Sequence, residues 1–153
     1  LVARADGYYV QFCVQVDRQE EVQPSGKAIG LDVGLHDFYT DSNNRTVDNP
    51  RFLRTGERRL KQAQRLVSRR AKGSRNRAKA RVILGKRHLK ISRQRKDWAV
   101  KLARCVIRSN DLVAYEDLRI KNMVKNHCLA KSINDASWYQ FRLWVESLGK
   151  VYG

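Results

Sequence analysis

Between Tyr8 and Val16 the residues Tyr8, Val10, Phe12, Val14 and Val16 alternate with Tyr9, Gln11, Cys13 and Gln15, the period of a strand with one buried face. A polar stretch from Asp17 to Gly26 follows and contains Pro24-Ser25-Gly26, the composition of a linker, so a domain boundary is expected near residue 24. Alternation resumes from Lys27 to Val33, with Ile29, Leu31 and Val33 on one face and Ala28, Gly30 and Asp32 on the other. Leu35 to Thr40, the turn-prone Asp41-Ser42-Asn43-Asn44 and Arg45 to Val47 then predict an antiparallel hairpin that continues the sheet.

The period changes after Pro50. Leu60, Ala63 and Val67 lie along one face of a predicted helix that ends at Lys72-Gly73-Ser74. Ser74 is a fitting N-cap for a second helix running to about Ser109, whose buried stripe is marked by Leu84, Ile91, Trp98 and Cys105, with Leu102 beside it. Asp111 to Tyr115 is nearly all apolar and ends in Glu116-Asp117, the pattern of a central strand buried on both faces. Helix-sized spacing between strands implies a crossover connection. A polar loop is expected from Lys121 to Ser132, and then a last helix with Trp138, Phe141, Trp144, Val145 and Leu148 on its apolar face. No internal repeat or low-complexity tract interrupts this order.

Charge is distributed unevenly over these elements. Residues 54–104 hold 20 of the 32 Lys and Arg but only two of the 15 acids, Glu57 and Asp97, a net of about +18 in a chain of net +17. A block of one sign repels itself in water and suits a surface that lies against many phosphates and releases their counterions. The segment Arg69-Arg70-Ala71-Lys72-Gly73-Ser74-Arg75-Asn76-Arg77 has no acid for local pairing, which favours nucleic-acid contact over a merely solvated face. The candidate contacts are Arg58, Arg65, Arg69, Arg70, Lys72, Arg75, Arg77, Lys79, Arg81, Lys86, Arg87, Arg93 and Arg95. At 153 residues and 42% hydrophobic, the chain is long enough for a real core. No membrane span or signal-peptide core is present in the sequence, and three widely spaced cysteines fit a reducing compartment, not a disulfide framework. The only methionine is Met123, so a piece of a longer protein is expected.

Two carboxylates stand apart from the rest. Asp32 interrupts Gly30-Leu31-Asp32-Val33-Gly34 and Glu116 closes Val113-Ala114-Tyr115-Glu116, positions where a charge is costly unless offset. On neighbouring strands they converge and can hold a divalent cation, which takes hard oxygen ligands and orients water against a phosphodiester. Capping a strand end or pairing with a nearby arginine is the alternative role. Gly30-x-x-x-Gly34 lacks the Lys-Ser or Lys-Thr of a phosphate loop. His36, His88 and His127 share no ligand spacing, and His127-Cys128 has no second pair, so zinc is not expected.

In order, Gly30-Leu31-Asp32-Val33-Gly34-Leu35, Asn49-Pro50-Arg51-Phe52-Leu53, the Arg69 to Arg81 basic segment, Gln94-Arg95-Lys96-Asp97, Tyr115-Glu116-Asp117-Leu118, Lys125-Asn126-His127 and Leu129 to Trp138 resemble the TnpB (OrfB) family of transposon-encoded RNA-guided endonucleases, relatives of the type V CRISPR effectors. The resemblance implies an α/β fold of RNase H-like (RuvC-like) type, a mixed sheet with a long basic helical hairpin (50–109) inserted between its third and fourth strands. Residues 1–24 then resemble the end of the wedge domain that grips guide RNA, and 25–153 a partial nuclease domain. Asp32 matches the first catalytic aspartate and Glu116 the catalytic glutamate, each a magnesium ligand, and the basic hairpin matches the insertion that lies against guide RNA and DNA. The setting implied is the prokaryotic cytoplasm, at the nucleoid.

The family continues past the position of Gly153 into a four-cysteine zinc ribbon and a third catalytic aspartate, and Asp135 in Asp-Ala-Ser-Trp is not that ligand. A chain with two of the three carboxylates is therefore expected to cleave poorly or not at all by itself. The rivals are a non-catalytic RNA- or DNA-binding module, as a fragment or domesticated derivative, and a ribosome-associated basic protein, which leaves the two carboxylates unexplained.

Overall fold

The computed structural model describes residues 1–152. The elements are β1 (Val2–Arg4), β2 (Gly7–Tyr9), β3 (Ala28–Val33), β4 (Asp37–Asp41), β5 (Thr46–Asp48), α1 (Phe52–Ser68), α2 (Arg75–Ser109), β6 (Leu112–Tyr115), α3 (Ile120–Met123), α4 (His127–Ala136) and α5 (Trp138–Tyr152). The chain divides into two compact units, one of Leu1–Val16 with Phe52–Arg95 and one of Asp17–Arg51 with Lys96–Gly153. The long helix α2 gives its first part to one and its second part to the other.

In the first unit α1 and the start of α2 form the expected helical hairpin, with Ala63, Val67, Ala80 and Ile91 buried. Gly73 turns the chain at φ +81°, a conformation glycine adopts without penalty. Ser74 caps α2 as predicted, its Oγ accepting the Arg77 amide at 3.1 Å. The strand expected from Tyr8 to Val16 is overturned. Only β2 forms, paired antiparallel with β1, while Val10, Phe12, Val14 and Val16 are 62–84% exposed. Alternation supplies a face for burial but not a neighbouring ladder, and among the described residues no further strand pairs with this segment.

The second unit holds a mixed four-stranded sheet in the order β5-β4-β3-β6, with β3 parallel to β6 and antiparallel to β4. Leu31 is buried and Ile29 and Val33 half-buried, whereas Ala28 and Asp32 are exposed, as the alternation predicts. The core joins Leu31, Phe38 and Tyr39 to Ala99, Ala103 and Val106 of α2, Ile133 of α4, and Trp138, Phe141, Val145 and Leu148 of α5. Two successive residues, Phe38 and Tyr39, are both buried because β4 carries a register shift against β5: Asp37 faces Asp48 and Tyr39 faces Val47. That extra residue locally breaks the two-residue alternation.

Three expectations are corrected here. Among the described residues β6 is an edge strand, not a central one: it pairs only with β3 there, and Leu112 and Tyr115 are 64% and 37% exposed. An apolar run permits burial on two faces without itself providing the layer that covers the second. Cys105 is exposed, because a seven-residue spacing drifts about 20° per repeat around a 3.6-residue helix; over this stretch the buried stripe passes through Ala99, Ala103 and Val106. The loop expected from Lys121 to Ser132 is largely helical, in α3 and α4. Asn126 caps α4 by accepting the Cys128 amide at 3.1 Å, and Ile133 and Ala136 bury its inner face. Ser137, at φ 61°, then closes α4 and leads into α5.

Candidate active site and nucleic-acid interface

The parallel register between β3 and β6 pairs Leu31 with Tyr115, the last residue of β6, and continued one residue past that end it sets Glu116 opposite Asp32. Aligned residues of parallel strands share a face, and both acids line one open concavity of about 490 Å³ together with Gly30, Thr40, Asp41, Ser42 and Ala114. Both are exposed, and neither carboxylate has a hydrogen-bond or ion-pair partner among the described residues. Among the described residues, neither acid is thus paired with an arginine, one of their two alternative roles.

The third acid at this concavity is committed elsewhere. Asp41 Oδ1 accepts the amides of Asn43 and Arg45 at 2.8 and 2.9 Å, holding the turn between β4 and β5. Ser42 extends the β3–β4 pairing: its amide donates to the Gly30 carbonyl at 2.9 Å and its Oγ accepts from the Gly30 amide at 3.2 Å. Among the described residues no group of three His, Cys, Asp or Glu side chains is assembled for a metal ion. Just past the end of β3, a Cβ on Gly34 would stand 3.1 Å from the Asp37 carbonyl oxygen, which explains the second glycine of Gly-Leu-Asp-Val-Gly by close backbone approach rather than by a phosphate loop.

The register that aligns the two acids is pinned from the start of β6. Asp111 Oδ1 accepts from the Ser25 amide at 2.9 Å and its hydroxyl at 2.8 Å, and Oδ2 from the Gly26 amide at 2.7 Å; the Asp111 amide donates to the Lys27 carbonyl at 2.8 Å. The amide and hydroxyl bonds from Ser25, then the amide of Gly26, hold the Asp111 carboxyl below the ordinary value of 3.8. A lowered folded pKa means the contribution is complete above the unfolded value and is lost as pH falls through the folded one. Acidification below about pH 3.8 is therefore expected to loosen β6. Asp111→Ala should bring fast amide exchange at Leu112 and Ala114, whose N–H groups face β3, at neutral pH, read by hydrogen exchange.

Glu116 is bracketed by a second network that the sequence conceals. Arg142 of α5 pairs with Asp117 through Nη1 and donates from Nε to Glu146 Oε1 at 2.8 Å, while the Tyr115 hydroxyl donates to that same oxygen at 3.0 Å. The Arg142 guanidinium also lies 5.9 Å from the centre of the Tyr115 ring. Bonds from Arg142 and then Tyr115 hold the Glu146 carboxyl below its usual range. The neighbours of Glu116 on both sides are thus tied to one turn of α5, and Glu116 itself is left unpaired. The only trace in the sequence is the four-residue spacing of Arg142 and Glu146 on a predicted helix. A small cavity of about 30 Å³ lies behind, lined by Glu116, Leu118, Trp138 and Phe141 among others.

The basic candidates divide by what they touch. Arg77 donates from Nη1 to the carbonyls of Val67 and Arg70 at 3.2 and 3.0 Å, closing the last turn of α1. Arg93 is bound to Asp6 at 2.6 Å and to the Tyr9 hydroxyl at 2.7 Å, fastening the β1–β2 hairpin to α2. Arg95 is half-buried and engaged. Arg58, Arg65, Arg69, Arg70, Lys72, Arg75, Lys79, Arg81, Lys86 and Arg87 are exposed, with no side-chain partner among the described residues. Sequence position alone does not separate these two groups, since the partners of Arg93 are 84 and 87 residues away. No helix among the described residues is long and apolar enough to cross a membrane.

Residues 11–127 match the OrfB_IS605 family, described as "Probable transposase". A protein of Streptomyces pristinaespiralis named "Putative RNA-guided DNA endonuclease" is 40% identical over 126 residues, covering 82% of this chain and 31% of the relative. A protein of Escherichia coli (strain K12) named "Putative RNA-guided DNA endonuclease InsQ" is 25% identical over 150 residues, covering 88% of this chain and 37% of the relative. The chain spans about a third of the length of these curated relatives. With the family match extending over most of its residues and a relative at 40% identity, the chain belongs to the TnpB (OrfB) family of transposases.

Proposed function

We propose that the chain is the nucleic-acid-binding and metal-binding part of a transposon-associated, RNA-guided DNA endonuclease with a RuvC-like, RNase H-type nuclease fold. The observation that carries this reading is the alignment of Asp32 and Glu116, unpaired, on adjacent parallel strands facing one open concavity. Two free carboxylates with room for water and a phosphate suit magnesium, which keeps several waters and takes one or two protein carboxylates. When bound, that ion supplies Lewis acidity and a water of lowered pKa. Asp32 and Glu116 bind and orient it, Thr40 and Ser42 line the approach, and Asp111 and Arg142 keep the two strands and the Glu116 corner in place. The basic hairpin 50–109 holds guide RNA and DNA by their backbones, and residues 1–24 belong to a neighbouring, wedge-like part.

A second reading, a binding module that does not cut, is favoured by one observation: among the described residues no third metal-ligating side chain joins Asp32 and Glu116, since Asp41 is committed to its own turn. The two are separated by assaying DNA cleavage with magnesium and guide RNA in protein that carries this segment. Cleavage lost in both Asp32→Ala and Glu116→Ala, with salt-sensitive binding retained, is the result expected of the nuclease. Binding of unchanged strength with no cleavage at any magnesium concentration would leave the module.

A further inference from the structure

The two carboxylates belong to the second unit; the first contains a concavity of different chemistry. Phe52, Thr55, Gly56 and Arg59 of α1 and Arg87, Lys90, Ile91 and Gln94 of α2 line a pocket of about 180 Å³, many times the ~10–15 Å³ that a single water needs. Three of these side chains are cations and none is an acid. Arg59, Arg87, Lys90 and Gln94 have no hydrogen-bond or ion-pair partner among the described residues. The nearest acid in sequence, Glu57, is bound to Lys61 at 2.8 Å. Like charges gathered round a hollow destabilise the free protein, so the arrangement calls for an anion. Within its lining the two helices approach closely: a Cβ on Gly56 would lie 3.0 Å from Ile91 Cδ1, although glycine inside a helix costs about 1 kcal/mol relative to alanine. Arg59, Lys90 and Gln94 are not among the basic residues that the charge pattern singles out.

We infer that this pocket seats one phosphodiester group of a polynucleotide backbone, with Arg59, Arg87 and Lys90 as shared cationic donors and Gln94 as a neutral one. Arginine presents a planar fork that matches two phosphate oxygens, and lysine adds a point charge. The inference rests on the reading of the hairpin as a nucleic-acid surface, and it makes a distinct quantitative claim. Three cations around one phosphate release the counterions of a single contact, so together they account for about one unit of the slope of log affinity against log salt, not three.

The test is fluorescence anisotropy on the full chain with single-stranded RNA and, separately, duplex DNA, over a series of salt concentrations. The variants are Arg59→Gln, Lys90→Gln, the triple Arg59→Gln/Arg87→Gln/Lys90→Gln and, as a control at the hairpin turn, Arg69→Gln/Arg70→Gln/Arg75→Gln. The triple variant is expected to bind about tenfold more weakly at low salt and to lose about one unit of slope, with each single variant losing less. A loss of about three units would mean three separate contacts and overturn the shared pocket. No change in the triple variant, while the turn variant weakens, would also overturn it and leave the hairpin reading intact. No weakening in either set would remove the nucleic-acid reading and this inference together. If the triple variant loses its helical circular dichroism, the two single variants decide on the same criterion.

Discussion

Replacing Phe38 by alanine is expected to cost about 3–5 kcal/mol of folding stability, the range for a large buried aromatic side chain cut back to a methyl. Phe38 is fully buried, at 0% exposure. Its ring stands edge-on to Trp98 at 4.4 Å and to Phe141 at 5.2 Å between centroids, so one side chain joins the sheet to α2 and α5. Such edge-to-face pairs add to the area term, and removing the shared ring breaks both at once. The loss would take up a large share of the roughly 5–15 kcal/mol that holds an ordinary domain together. Urea unfolding followed by tryptophan fluorescence reads it directly, because Trp98 is a partner. Phe12→Ala is the matched control: Phe12 is 84% exposed, and its loss should fall within about 0.5 kcal/mol of zero. Equal losses in the two variants would refute the placement of Phe38 at the centre of the core.

The contrast between those two phenylalanines shows what a hydrophobic pattern carries. Phe12 sits in the cleanest alternation of the chain and Phe38 beside Tyr39, where alternation fails; the second is buried because a bulge in β4 turns both rings inward. Where an element's partner follows directly in sequence, as in the β4–β5 hairpin and the α1–α2 hairpin, local pattern and turn residues suffice. β6 pairs with β3 across 84 residues in the register Ala28 to Leu112, and its edge position follows from what lies beside it, which its own residues do not encode. The candidate site divides along the same line. Asp32 and Glu116 are visible as charges at the ends of apolar strands, and their alignment follows once the strands are parallel. The residues that secure it are not visible: Asp111 reaches Ser25 and Gly26 across 86 and 85 residues, and Arg142 reaches Asp117 across 25. Among the basic residues composition assigns a sign to the surface, but Arg77 and Arg93 turn out to hold the hairpin's own backbone and its neighbouring strand pair.

Neutralising one of the two facing acids should move stability in opposite directions with and without a divalent cation. In EDTA, Asp32→Asn or Glu116→Gln removes a like-charge pair placed opposite on adjacent strands, and the chain is expected to gain about 0.2–1 kcal/mol. Both substitutions keep the size of the side chain, and neither acid has a partner among the described residues to abandon, so no compensating loss is due. Magnesium or manganese that binds the folded chain alone stabilises it by about 2.7 kcal/mol at a hundredfold excess over the dissociation constant. That response requires both carboxylates, so it should fall to a small residue in either variant and vanish in Asp32→Asn/Glu116→Gln. The order of stability therefore reverses: the variants melt above the parent in EDTA and below it in saturating magnesium, in paired thermal scans. A parent that gains nothing from either ion, or variants that gain as much as the parent, would mean that the concavity between β3, β4 and β6 does not select divalent cations. The EDTA arm stands by itself, since it depends only on two negative charges sharing one face of the sheet. A gain there without a metal response would keep the alignment of Asp32 and Glu116 and remove the chemistry assigned to it.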